Sequence, residues 1–223
     1  ISSKLSMRIL ITGVGGFIGS ELAEELSKTN RVYGIYRNTI PSLKRSKNLK
    51  LIQNNLNNIN NLPKKCDYII HAASETPNKT KDQNKLYNSN LRAMRNLIKY
   101  SKKVGCKYFL FCSSMSVYGI NKQSIISERS YFKYPNMYGL SKINCEKMIK
   151  NYTIKNENFY STSIRLPGVV GDNSHGNFIS NITEKIINGE DIEVYNKKSY
   201  FNNIVHVHEI IKFAKIWMKN IKR

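Results

Sequence analysis

Short apolar runs alternate with longer amphipathic stretches through most of the chain. RILIT (8–12), RVYGIY (31–36), LKLIQ (49–53), DYIIHA (67–72), KYFLFC (107–112) and YSTSIRL (160–166) have strand length and are rich in β-branched and aromatic residues. Between them, residues 17–28, 81–104 and 138–157 repeat apolar positions at spacings of three and four, which predicts helices. Strand–helix alternation of this kind predicts an α/β fold, a doubly wound parallel sheet covered on both faces. NNLNNINN (54–61) is a polar patch expected to be a loop. After Leu166 the rhythm breaks. Pro167, Gly168, Gly171 and Gly176 mark a loop, followed by a helix over 177–188, a short strand around 192–195, an extended NNIVHV and a last helix from His208 to about Lys219. The expected division is a main domain over 7–166 and a small C-terminal lobe over 167–223.

Charge complicates this picture only slightly. The 223 residues carry 36 lysines and arginines against 15 acids, a net charge of +21. The basic residues are spread along the whole length among many asparagines and isoleucines, with one local group at Lys44, Arg45, Lys47 and Lys50. No aromatic-interleaved basic motif accompanies them, so nucleic acid is not an expected partner. Such a surplus does attract phosphorylated small molecules. No apolar run approaches the ~18 residues of a membrane span, and the N-terminus lacks the apolar core of a secretion signal; a cytoplasmic protein without a membrane partner is expected. The six residues before Met7 read as an extension. Cys66, Cys106, Cys112 and Cys145 form no Cys-x-x-Cys pair, and neither a metal site nor a disulfide framework is indicated.

The first strand runs straight into TGVGGFIGS. Gly13, Gly16 and Gly19 allow a tight turn, close approach to a pyrophosphate and packing of helix on strand, while the following helix, opening at Phe17 and Ile18, aims its free N–H groups at the phosphates. A dinucleotide site is expected there. Sites that prefer NAD place an acid roughly 20 residues after the glycines, on the ribose hydroxyls. This chain has Tyr36 and then Arg37. With no carboxylate to repel a 2′-phosphate and a guanidinium available to bind one, NADP(H) is expected over NAD(H). The alternative is that Arg37 is merely solvated.

Tyr138 and Lys142, in YGLSK, share one face of a predicted helix. That spacing alone is common. Taken in order with the glycine loop, IIHAAS and FCSSMSVYG, however, it makes residues 7 to 220 resemble the extended short-chain dehydrogenase/reductase family, in its NAD(P)-dependent nucleotide-sugar epimerase/dehydratase branch. The resemblance implies a Rossmann fold in which Asn55 and Leu56 lie near the adenine, Ala72 and Ala73 pass the cofactor ribose and Pro167 borders the cofactor. It also implies catalysis by Ser114, Tyr138 and Lys142, substrate contacts from Ser74, Ser116 and Asn177, a nucleotide-linked sugar as substrate, and a homodimer built on the two long helices. A phenol titrates near ~10 in water, and an adjacent ammonium favours its phenolate. Tyr138 would thus exchange a proton with a sugar hydroxyl while Ser114 holds the same oxygen and Lys142 anchors the nicotinamide ribose.

Departures from the pattern narrow the reaction. Dehydrating relatives carry an Asp-Glu pair after the active-site Ser/Thr, where this chain has Met115 and Ser116, so dehydration is not expected. Epimerisation and keto-sugar reduction both stay open. In SYFNNIVHVHEI, Asn203, His206 and Glu209 match the family segment near the substrate nucleotide, but Phe201 stands where an arginine often grips the diphosphate. The chain also stops earlier than most members, implying a reduced substrate lobe. A non-catalytic cofactor-binding or scaffold protein of the same fold is the competing expectation.

Overall fold

The computed structural model describes residues 7–38, 40–44, 46–121, 123, 125–172, 174, 178–193 and 203–221. The six expected runs form β1 (Arg8–Thr12), β2 (Arg31–Tyr36), β3 (Leu49–Gln53), β4 (Tyr68–His71), β5 (Tyr108–Ser114) and β6 (Tyr160–Leu166). They pair in one parallel sheet of order β3-β2-β1-β4-β5-β6. Strand order reverses between β1 and β4, and a crevice opens outside the carboxyl ends of the strands at such a point.

Each layer follows from the alternation of side chains along the strands. Ile9 and Ile11 of β1 face one way, into a core with Val32, Tyr68, Ile70 and Leu110 under α1 (Phe17–Ser27). Leu10 faces the other way with Ile35, Ile69, Phe109 and Phe111, under α2 (Gln83–Val104) and α3 (Met137–Ile154). Local chemistry sets the helix ends. Asp82 caps α2 by accepting from the Lys85 N–H at 2.9 Å, and Gly105, with φ of 66°, closes it in the left-handed region that glycine tolerates.

After Leu166 come β7 (Gly168–Val170), α4 (Phe178–Ile187), β8 (Ile204–His206) and α5 (Val207–Asn220). β7 was expected as loop. It is a strand because it pairs in parallel with β8, more than 30 residues later, and three residues are too few for a periodic signal. No strand forms at 191–193, and the rest of the strand expected around 192–195 lies outside the described residues, as do Gly176, Asn177 and Phe201. α5 returns to the main sheet. Its Ile211, Ala214, Trp217 and Met218 complete the core under α1, Trp217 Nε1 donates to Thr162 Oγ1 at 2.8 Å, and Lys215 pairs with Glu25 of α1 at 2.7 Å. β7, β8 and α4, which buries none of its residues, stand off that core. All four cysteines are free and buried. No helix among the described residues is long and apolar enough to cross a membrane.

Candidate active site

A cleft of about 550 Å³ lies at the carboxyl ends of the strands. Its floor begins with the glycine loop. Gly13 has φ of +80°, and a Cβ there would lie 2.6 Å from the Ala73 nitrogen; a Cβ on Gly19 would lie 2.2 Å from the Gly13 carbonyl oxygen. Side chains at either position would therefore wedge apart loop, helix and the end of β4. Gly16 is the N-cap of α1 and gives it no side-chain cap, so the first N–H groups of the helix are available to an anion in the cleft. This open N-terminus beside glycine-only packing fits a dinucleotide pyrophosphate. Gly13, Gly16 and Ile18 line the cleft. Gly19 lies beneath the loop, and Phe17 turns its ring towards Gly171, so neither is part of the lining.

The far wall carries Ser114, Tyr138 and Lys142. Ser114 ends β5, and Tyr138 sits in the first turn of α3, which is fixed by Asn136 accepting from the Gly139 N–H at 2.8 Å. A 3₁₀ turn, Met115–Tyr118, follows Ser114 directly and packs against the start of α3. A Cβ on Gly139 would fall 2.2 Å from the Ser116 carbonyl oxygen, so the glycine of YGLSK lets the tyrosine turn seat against the serine turn. Lys142 is buried. Its Nζ donates to the Cys112 carbonyl at 2.9 Å and lies 5.4 Å from the Tyr138 ring centroid and 4.8 Å from that of Phe111. Its charge is felt nearby: burial first, then Lys142, pushes the His71 pKa down to about 3. His71 Nδ1 is 2.7 Å from Thr12 Oγ1, which also accepts the Ala73 N–H at 3.3 Å. The imidazole is therefore neutral in the fold and shares one hydrogen bond with the Thr12 hydroxyl.

Of the other expected contacts, Arg37, Asn55, Leu56, Ala72, Ala73, Ser74 and Pro167 line the cleft. Ser116 does not; its Oγ and its N–H both bond to Ser114 Oγ, at 3.1 Å each. Asn177 lies outside the described residues.

Two residues in this site escaped the sequence reading. Asn90 of α2 accepts the Glu75 N–H at 2.8 Å and donates to the Glu75 carbonyl at 3.1 Å and to Ser141 Oγ at 3.0 Å. Ser141 in turn donates to the Tyr138 carbonyl at 2.7 Å, so one buried amide ties the loop after β4 to the tyrosine turn. Glu75 pairs with Arg37 and is the only carboxylate lining the cleft among the described residues. Neither belongs to a motif with its own spacing, and only its position in space marks it.

Residues 9–223 match the model of the NAD dependent epimerase/dehydratase family. Among curated proteins, N-acetyl-alpha-D-glucosaminyl-diphospho-ditrans,octacis-undecaprenol 4-epimerase of Escherichia coli O157:H7 is 28% identical over 156 residues, 70% of this chain and 46% of that one. The structure of UDP-N-acetylglucosamine 4-epimerase from Methanobrevibacter ruminantium M1, in complex with UDP-N-acetylmuramic acid, superposes with a TM-score of 0.82 at 25% identity, covering 93% of this chain and 71% of that one. UDP-glucuronic acid 4-epimerase from Bacillus cereus, in complex with NAD, shares the fold with a TM-score of 0.84 at 20% identity, covering 96% and 73%. The chain spans about half the length of the curated relatives it matches.

Proposed function

Because the chain belongs to the NAD dependent epimerase/dehydratase family, we propose that it is an NAD(P)-dependent enzyme acting on a nucleotide-linked sugar by tyrosine-assisted hydride transfer, with epimerisation the favoured outcome. The observation that carries this reading is the single cleft that joins the glycine loop at the open end of α1 with Ser114, Tyr138 and Lys142. A nicotinamide dinucleotide bound there supplies reversible hydride exchange with a sugar carbon. The chain's own residues do the rest. Tyr138 Oη takes the proton of the reacting sugar hydroxyl and returns it, Ser114 Oγ holds the same oxygen, and the buried ammonium of Lys142 stabilises negative charge beside the phenol ring. Met115 and Ser116 place no carboxylate after Ser114, which argues against water loss.

Gly13, Gly16, Ile18, Asn55, Leu56, Ala72, Ala73 and Pro167 are the proposed cofactor contacts, with Ser74 towards the substrate. Preference for NADP(H) over NAD(H), the expectation from Arg37, would bring a 2′-phosphate beside the Glu75 carboxylate that pairs with that guanidinium. We take the segment after Leu166 as the substrate side and a homodimer through α2 and α3 as the assembly, the latter read by light scattering.

Interconversion of UDP-sugar epimers, followed chromatographically with added dinucleotide, tests the activity. Tyr138→Phe should lower turnover by at least about a hundredfold while leaving dinucleotide affinity within about twofold. Turnover unchanged in that variant would remove the tyrosine from the mechanism. A second reading, a cofactor-binding protein without turnover, draws on the exposed apolar residues Phe178, Ile186, Ile187 and Ile204. It predicts tight dinucleotide binding with no sugar conversion in the wild type.

A further inference from the structure

The acid that an NAD-preferring site carries at the end of β2 is missing from this chain, but folding brings one to the same place. Glu75, in the loop after β4, forms an ion pair with the Arg37 guanidinium, and both residues line the cleft. The partners are not equally free. The Glu75 side chain is 11% exposed and that of Arg37 49%. The Glu75 backbone is held on both sides by the Asn90 amide, at 2.8 and 3.1 Å, and Asn90 is itself buried and bonded across to α3. The Arg37 carbonyl accepts from Gln53 Nε2 at 3.1 Å, so its backbone is anchored too, while its guanidinium reaches out over the cleft. The carboxylate is thus a fixed negative charge, and the guanidinium is the movable member of the pair.

A phosphate seeking Arg37 comes close to the Glu75 carboxylate already paired with it, and the like charges oppose each other, whereas a hydroxyl has no like charge to oppose it. We propose that Glu75 sets the dinucleotide choice of this chain, favouring NAD(H) over NADP(H) by holding Arg37 and keeping a negative charge at that end of the cleft. The proposal rests on the reading of the cleft as a dinucleotide site. It turns the expectation from Arg37 alone the other way, since the missing acid is supplied from a different strand end.

The test is fluorescence titration of the full chain with NADH and NADPH, in the wild type, Glu75→Gln, Arg37→Met and the double variant, with thermal melts to establish that each is folded. The wild type should bind NADH more tightly than NADPH. Glu75→Gln should tighten NADPH about tenfold and shift NADH by less than about twofold, and the NADPH gain should vanish when Arg37→Met is added. A wild type that prefers NADPH, or a Glu75→Gln change that is equal for both dinucleotides, overturns the proposal. So does a gain that survives in the double variant, which would assign the phosphate to another cation such as Lys79, also on the cleft wall. If the folded wild type binds neither dinucleotide, the cofactor reading itself falls and this proposal with it, an outcome distinct from equal binding of both.

Discussion

At Gly139 the demands of packing and of chemistry meet in one residue. The motif YGLSK places Tyr138 and Lys142 on one helical face whatever stands between them, but the structure shows what the glycine does: its missing Cβ lets the α3 turn sit on the Ser116 carbonyl. Gly139→Ala should push the tyrosine turn off the serine turn, lower kcat at least tenfold and cost about 1–3 kcal/mol of stability, while dinucleotide affinity stays near wild type. Kinetics with urea denaturation check this; an alanine variant with full activity would mean that the two turns can separate without consequence. Residues whose work is local were legible from sequence in this way. Gly13 sits in a contiguous glycine motif and Tyr138 and Lys142 stand four residues apart on one helix, while Ser114 was named from the family resemblance. Asn90 and Glu75 were not legible, because neither stands in a motif and the contacts that bring them to the site join segments far apart in the chain.

Between elements, a largely buried polar tie links Arg165 of β6 with Glu146 of α3, at 2.7 Å, their side chains 18% and 12% exposed. Ser113 of β5 donates to the same carboxylate at 2.5 Å. Arg165 also bonds to Tyr118 Oη at 2.8 Å and to the Glu128 carbonyl at 3.1 Å, with its guanidinium over the rings of Tyr118 and Phe132. The cluster joins β5, β6, α3 and the 119–135 segment directly behind the serine and tyrosine turns. Its hydrogen bonds to Glu146, offset in part by burial, raise the Arg165 pKa, so the group stays cationic. Removing the carboxylate by Glu146→Ala strands that cation and should cost about 3 kcal/mol, read as a lower urea midpoint, whereas Lys28→Ala at an exposed i,i+3 pair should cost under about 1 kcal/mol. Equal small effects would show that water replaces the carboxylate at Arg165 without penalty.

Across the whole molecule, the protonation of buried groups shapes stability against pH. His71 is neutral in the fold with its pKa pushed down to about 3 from 6.5, so the unfolded chain takes up a proton below about pH 6.5 that the native state refuses. Stability from this group is complete above pH 6.5 and is lost as pH falls towards 3, by at most about 1.4 kcal/mol per pH unit. Glu25 is depressed to about 2 from 4.5 by its bonds to Lys215 and Lys28; its contribution is present above pH 4.5 and disappears below. Urea midpoints should therefore begin to fall near pH 6.5, before the carboxylate adds its share, and His71→Asn should flatten the stretch from 6.5 to 4.5. A wild-type curve flat over that stretch would contradict a neutral buried His71. Sequence by itself determined the six-stranded sheet, three of its covering helices and the glycine loop, because strand and helix periods and the spacing of the glycines are properties of neighbours along the chain. Tertiary structure decided that residues 168–170 are a strand, that α5 completes the core under α1, and that a carboxylate from the end of β4 meets Arg37 at the end of β2. Pairings of that kind join segments far apart in sequence, and only the packing of the sheet fixes the distance between them.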